Sequence, residues 1–414
     1  MRDIFFRICF ICVLVKLLTC GQDVSAQFID SIYITKHEID TLHKGQLSVE
    51  IDNLSFFKNN EFNSTIQKGY TLPGFWLQPK AVYYPLSNVK LEAGVHSIWF
   101  WGAWRYPAFA FKDISRWSGR DYSHNVHISP YFRAHFSMSK NVSIVLGNIY
   151  GGSNHRLIEP LYNPELNLSS DPEAGLQFLY KSKWVNFDSW VDWMTYIYEL
   201  DTHQESFVAG ASARFLTNSP ESRFHVYFPL QGVAQHRGGE IDNNTTEPVQ
   251  TIMNGALGVG LKLNLKNRLV KYINAEFDLA GYHFPKGREM QLHRGRGFYS
   301  KLEMQLESFN IKTSYWNGKN FVSMFGNHFY NSVSSKMDGN RYDNPQMLYL
   351  GANYVHSLGK GFSLGVMAET YYFVSGKMYS SQTGLYEPSA YGKNSNFSVG
   401  ICMRINPSFL IKQY

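Results

Sequence analysis

Cysteine is almost absent from the body of this 414-residue chain: Cys9, Cys12 and Cys20 sit at the extreme N-terminus and only Cys402 lies beyond them. An intrachain disulfide and a cysteine-based zinc site are thereby excluded for that body. Charge is sparse as well, at 17% of residues, and no Lys/Arg run reads as a nucleic-acid tail or a polybasic membrane patch. Beyond Gln27 no stretch approaches the roughly 18 consecutive apolar residues of a membrane helix, and the mean hydropathy of -0.28 is too polar for a helical bundle. Low charge does not mean disorder here. Thirty Phe, 27 Tyr and 9 Trp raise the aromatic share to 16%, which gives the chain ample apolar surface to bury.

The N-terminus reads as an export signal. Arg2 and Arg7 precede the apolar stretch Ile8 to Leu18, and Val24-Ser25-Ala26 supplies a small-x-small cleavage pattern, so residues 1–26 are expected to be removed. The stretch is interrupted by Lys16 and is too short for a permanent span; Leu17-Leu18-Thr19-Cys20 offers a lipoprotein-type site as the competing reading. Loss of the signal lowers the formal net charge from +6 to +5.

The remaining chain alternates apolar and polar residues with the period of a strand. In His124 to Met138 one face carries Val126, Ile128, Phe132, Ala134 and Phe136, and the other carries His127, Ser129, Tyr131, Arg133 and His135. The final segment sets Phe397, Val399, Ile401 and Met403 against Ser398, Gly400, Cys402 and Arg404. The pattern predicts about sixteen strands between 54–64 and 395–406, with eighteen as the alternative. Tight connections, such as 86–88, 140–141 and 358–360, alternate with long ones, such as 103–123, 153–173, 236–251, 318–344 and 375–394. An even strand count, alternating turns and loops, and a preceding export signal fit an all-β, closed antiparallel transmembrane barrel with short periplasmic turns and long extracellular loops. Phe75, Trp76, Trp99, Trp101, Tyr196, Tyr198, Phe284, Tyr371 and Tyr372 are expected to form its interfacial girdles. The barrel is expected over residues 54–414, and residues 27–53 are expected to be a periplasmic arm or plug, or an extension of the first strand, since Gln46 to Ile51 is itself strand-like.

On the Val24-Ser25-Ala26 signal end, the alternating strand Phe397 to Ile405 and the terminal aromatic Tyr414, the chain resembles the porin-like outer-membrane β-barrels of Gram-negative bacteria, and most of all those of the Bacteroidota. The resemblance implies an outer-membrane location, a C-terminal aromatic read by the assembly machinery, and possible association in threes. Pro407 to Gln413 separate Tyr414 from the expected last strand and depart from that pattern.

A sixteen-strand barrel is wide enough for an aqueous lumen, so passive passage of small hydrophilic solutes is the expected function. Alternation puts Arg133, His135, Arg214, Arg223, His225, Lys301, Glu303, Glu307, Glu369 and Arg404 on the inner wall, where charge tunes selectivity; Arg214 and Arg223 are expected to form one basic wall. In the porins the chain resembles, the loop after the fifth strand folds inward. Here that loop is 153–173, and it makes His155, Arg156, Glu159, Glu165, Asp171 and Glu173 the constriction candidates. Trp104, Tyr106, Phe109, Phe111 and Trp117 suit saccharides, so a glycan- or partner-binding barrel with a closed lumen is the alternative. Nothing has metal-ligand spacing: His124 and His127 fall on opposite faces of one strand. No cofactor is implied. The nearest Ser/His pair, Ser206 and His203, is only a sequence neighbourhood, so no enzymatic activity is expected.

Overall fold

The computed structural model describes residues 32–35, 37–101, 126–197, 204–239, 248–265, 267, 269–287, 290–337, 339–388 and 396–414. The export signal, the aromatic loop from Trp104 to Trp117, and His124, Tyr198 and His203 lie outside them. The strands are β1 (Gln46–Phe62), β2 (Tyr70–Leu86), β3 (Val89–Phe100), β4 (His127–Ser137), β5 (Val142–Asn148), β6 (Ala174–Lys181), β7 (Val185–Thr195), β8 (Ser206–Leu216) and β9 (Phe224–Arg237). They continue as β10 (Gln250–Asn264), β11 (Val270–Lys286), β12 (Arg294–Leu306), β13 (Phe309–Lys319), β14 (Arg341–Gly359), β15 (Phe362–Tyr379), β16 (Tyr386–Pro388), β17 (Asn396–Ile405) and β18 (Ser408–Gln413).

Each strand from β1 to β15 pairs antiparallel with the next, β15 pairs with β17, and β17 returns to β1 through ten residue pairs from Asn53–Ile405 to Phe62–Asn396. The result is a closed barrel of sixteen staves, which leaves no sheet edge to be satisfied in lipid. β16 is a short lip on β15, and β18 continues the last stave beyond Pro407, pairing with Gln46 to Glu50 of β1. Tyr414 therefore closes the stave after all: its amide donates to the Gly45 carbonyl at 2.8 Å. Gly45 sits at φ +79, and a Cβ there would lie 2.4 Å from the Tyr414 carbonyl oxygen, so this closure requires glycine.

Two expectations are corrected here. The wall begins at Gln46 rather than at residue 54, because β1 runs eight residues further down to meet β18, which is the strand extension held open for Gln46 to Ile51. Among the expected girdle aromatics, Trp99, Trp101, Tyr196 and Tyr372 are exposed, whereas Phe284 and Tyr371 are buried in the lumen and the Trp76 indole donates to the Asn167 carbonyl of an inward loop. Alternation holds elsewhere. In β17, Phe397, Val399, Ile401 and Met403 are exposed while Asn396, Ser398, Cys402 and Arg404 are buried.

Candidate functional site in the lumen

Among the described residues three segments occupy the lumen. The described N-terminal residues up to His37 enter it: Ile32 is buried with Leu54, Phe56 and Cys402, the Thr35 amide donates to Asn154, and the His37 ring lies 5.0 Å from that of Tyr150. The second is the loop between β5 and β6. Those strands have only 7 and 8 residues, so the chain leaves the wall low and the loop turns inward, as expected for 153–173. The third, between β13 and β14, was not foreseen as an insertion. Phe321, Val322, Phe329 and Tyr330 of that loop pack with Ile158 and Leu161 of the second, against Tyr299, Trp316, Tyr349 and Phe373 of the wall. Backbone bonds join the two loops, from the Asn163 amide to the Phe325 carbonyl at 2.7 Å and from the Asn327 amide to the Glu159 carbonyl at 3.2 Å.

The constriction candidates serve as anchors. His155 lies between Asp188 of β7 (Nδ1 to Oδ2, 2.7 Å) and Glu173 (Nε2 to Oε2, 2.9 Å), with its ring stacked 3.5 Å from that of Trp190. Burial works against its charge, but the Glu173 and Asp188 carboxylates outweigh burial and hold its pKa up at about 10. A doubly paired imidazolium is a lock, with no ring nitrogen left to take a proton. Glu159 pairs with Lys312 of β13 and accepts from Tyr299 and Tyr330; burial opposes its ionisation, yet Lys312 holds it below the ordinary carboxylate value. Glu165 meets Lys58 of β1 at 2.9 Å, and Lys58 also meets Glu369 of β15 at 3.1 Å. Asp171 bonds His127 at 3.0 Å, and Arg156 takes the left-handed conformation with φ 56 while its carbonyl accepts from Gln231.

The expected wall residues face inward mostly in pairs. Arg133 bonds Glu92 at 3.0 Å and caps the Tyr150 ring; His135 meets the Tyr150 hydroxyl at 3.2 Å. Lys301 faces Glu276 at 3.7 Å, Glu303 accepts from Tyr272 and Asn310, Glu369 holds Lys58, His225 meets Asn218, and Arg404 grips Asp52 at 2.7 Å. Arg214 lies over the Tyr227 ring. Arg223 is exposed in the turn before β9, and Glu307 lies in the turn after β12, so neither belongs to a strand and the joint Arg214–Arg223 wall does not form. Ser206 is buried with its hydroxyl 3.8 Å from the Met194 sulfur.

Between the N-terminal segment, the second loop and β1 to β4 remains a cavity of about 130 Å³, lined among others by Tyr33, Asp52, Trp76, Lys80, His96, Arg133, Ser170, Asp171 and Arg404. His96 is 3% exposed, and among the described residues neither ring nitrogen has a hydrogen-bond partner. The His127–Asp171 pair lies close by, since Asp171 lines the same cavity. Lys80 and Arg133 converge on Glu92, Lys80 at 2.8 Å. His96 and Lys80 were missed in the sequence although alternation puts His96 on the same inner face as Glu92. Among the described residues no group of His, Cys, Asp and Glu has the geometry to hold a metal ion.

Residues 39–414 match the family described as lipid A 3'-O-deacylase-type. The chain belongs to that family. Its membership overturns the expectation of a non-enzymatic barrel, which rested on the lack of a Ser/His pair legible in sequence. No curated protein matches the chain. Among solved structures it is similar to OccAB4 of Acinetobacter baumannii (8% identity, 88% of this chain and 99% of that one, TM-score 0.48) and to an anion-selective porin from Comamonas acidovorans (10% identity, 87% and 100%, TM-score 0.47). It is also similar to opdK from Pseudomonas aeruginosa (9% identity, 88% and 100%, TM-score 0.47). The family member described here is an outer-membrane β-barrel.

Proposed function

We propose that this barrel hydrolyses an acyl ester of an outer-membrane lipid of the lipid A class. The observation that carries the reading is His96, a buried imidazole with both nitrogens unpartnered among the described residues, at a cavity lined by Lys80, Arg133 and Arg404 together with Asp52 and Asp171, in a chain of the deacylase-type family. In the proposed step a water oxygen attacks the ester carbonyl carbon while His96 takes its proton. The carbonyl oxygen gains negative charge beside Lys80, Arg133 and Arg404. The C–O bond then breaks, the imidazolium returns the proton to the departing alkoxide, and a free fatty acid and a hydroxyl result. The cavity accommodates the reacting ester rather than a whole lipid, so Tyr33 and Thr35 of the N-terminal segment must yield for the acyl chain to enter. The test is mass spectrometry of lipid A incubated with the refolded barrel. Release of a 3'-O-acyl chain by the parent and at least 100-fold less by His96→Ala supports the reading; equal release by both, or none from a folded parent, sinks it.

Passage of small hydrophilic solutes is the second reading, favoured by the width of sixteen staves. It requires the inserted segments to withdraw, and saccharide passage and association in threes belong with it. Processing of residues 1–26, and recognition of Tyr414 by the assembly machinery, are proposed under either reading.

A further inference from the structure

The outer wall carries charge close to its long-loop rim. On β11 to β13, His283 stands directly opposite Arg294, and Arg296 directly opposite Lys319. These positions face outward: Gly297 and Tyr299 of β12 are buried in the lumen, while Phe298 and Leu302, in step with Arg294 and Arg296, are exposed. A register shift at the end of β11 brings Lys286 to the same side, opposite Thr251. Arg294, Arg296, Lys319 and Lys286 are all exposed, and among the described residues none has an ion-pair partner. Cations set directly opposite one another destabilise a sheet unless something anionic lies between them.

The wall beside them is hollowed. Gly232, Gly255 and Gly281 occupy one cross-strand row that runs straight into Arg296 and Lys319. A Cβ on Gly281 would meet nothing within 4 Å, and one on Gly232 only a carbonyl oxygen at 3.9 Å. The next row toward the turns is an exposed apolar ledge of Leu230, Leu257, Leu279 and Phe298. An anionic head and an apolar tail thus meet complementary surface side by side.

We propose that the outer wall of β9 to β13 docks a phosphate-bearing lipid of the outer leaflet, its phosphates on Arg294, Arg296, Lys319 and Lys286 and an acyl chain along the furrow over Gly281. This surface gives the membrane-borne substrate of the proposed hydrolase its first contact, yet it rests on the wall alone and not on chemistry at His96.

The experiment is a titration of the refolded full barrel in nanodiscs with bisphosphorylated lipid A, with its dephosphorylated form, and with inorganic phosphate. It uses the parent, the triple variant Arg294→Gln/Arg296→Gln/Lys319→Gln, and Gly281→Leu. Each basic residue at a membrane surface is worth about fivefold in affinity, so the triple variant is expected to bind bisphosphorylated lipid A about 100-fold more weakly and the dephosphorylated form with little change. Gly281→Leu, which fills open space on the outer face, is expected to weaken both lipids while keeping the preference for phosphate. Should the triple variant fail to fold, Arg296→Gln alone is expected to lose about fivefold. Affinities within twofold of the parent for every variant overturn the proposal, as does occupation by inorganic phosphate with no preference for lipid. Acyl release is measured in the same samples: binding without release sinks the hydrolase and leaves the docking surface standing, and release unaffected by the triple variant with unaltered binding does the reverse.

Discussion

Replacing Lys58 by Met tests whether buried ion pairs hold the second loop in the lumen. The ammonium lies 2.9 Å from Glu165 on the loop and 3.1 Å from Glu369 on β15, with 10% of its side chain exposed. Glu165 also accepts from Tyr70 and Asn60, and Glu369 accepts from Tyr349. Methionine fills most of the space but strands two carboxylates in the same buried place. Removing one partner of a buried pair costs about 3–5 kcal/mol, which corresponds to a rise of about 10²- to 5 × 10³-fold in the undocked population of the loop. Hydrogen exchange reads this directly, because amides such as Leu166, bonded to the Asn163 carbonyl, exchange only when the loop leaves. Protection over 163–170 is expected to fall by that factor at pH 7, while β10 and β11, on the far wall, keep theirs. Protection unchanged in Lys58→Met, or lost equally across β10 and β11, refutes the idea of a local latch.

The His155 lock has a pH signature of opposite sign on its two sides. Its folded pKa of about 10 lies above the ordinary 6.5, so its contribution is complete below about pH 6.5 and is lost as pH rises through about 10; limited proteolysis of the loop is expected to accelerate over that interval, and His155→Gln to abolish the dependence. Glu173, held below its ordinary value despite burial by His155, contributes above about pH 4.5 and is lost as pH falls further, so loop cleavage is expected to rise again in acid. Deleting residues 27–40 removes Ile32, Tyr33 and Thr35 from the lumen, and planar-bilayer recordings are expected to show larger conductance steps than the parent; identical recordings remove the N-terminal segment as an obstruction. Deleting Tyr414 takes away the bond to Gly45 and is expected to lower the yield of heat-modifiable, folded barrel while leaving its unfolding midpoint nearly unchanged once folded.

The wall was legible because lipid outside and polar contents inside impose one rule on every residue, and period two records it. His127, Tyr131, Arg133 and His135 all point inward as alternation requires, and the staves fall within about five residues of expectation except at the start of β1, eight residues early. Errors cluster where that rule lapses. Arg223 and Glu307 sit one or two residues past strand ends, where alternation no longer assigns a face. Trp76 and Tyr371, expected near strand ends, lie within β2 and β15 and belong to the lumen, since an inward indole or phenol is as well served by buried carbonyls and rings as by an interface. Tyr414 was obscured by Pro407, which bends the last stave without ending it.

The contents of the lumen were far less legible, because their partners are chosen in three dimensions. Lys58 finds Glu165 on a loop and Glu369 fourteen strands further along the chain, and no spacing encodes that meeting. The loop after β13 carries Phe321, Val322, Phe325 and Phe329, an apolar set out of place in a solvent-facing loop, and this was the one sequence signal of an insertion. Once such a loop enters, width alone ceases to predict conduction: among the described residues the apolar cluster occupies one side of the lumen and ion pairs the other, beside a cavity of about 130 Å³. Strand number fixes the diameter of a barrel, but what the barrel does depends on whether its loops bring enough apolar surface to bury inside it. In this chain they do: Phe321, Val322, Phe329 and Tyr330 of the loop after β13 bury themselves with Ile158 and Leu161 against the wall, and His155, Glu159 and Glu165 tie the second loop to β7, β13 and β1 through ion pairs.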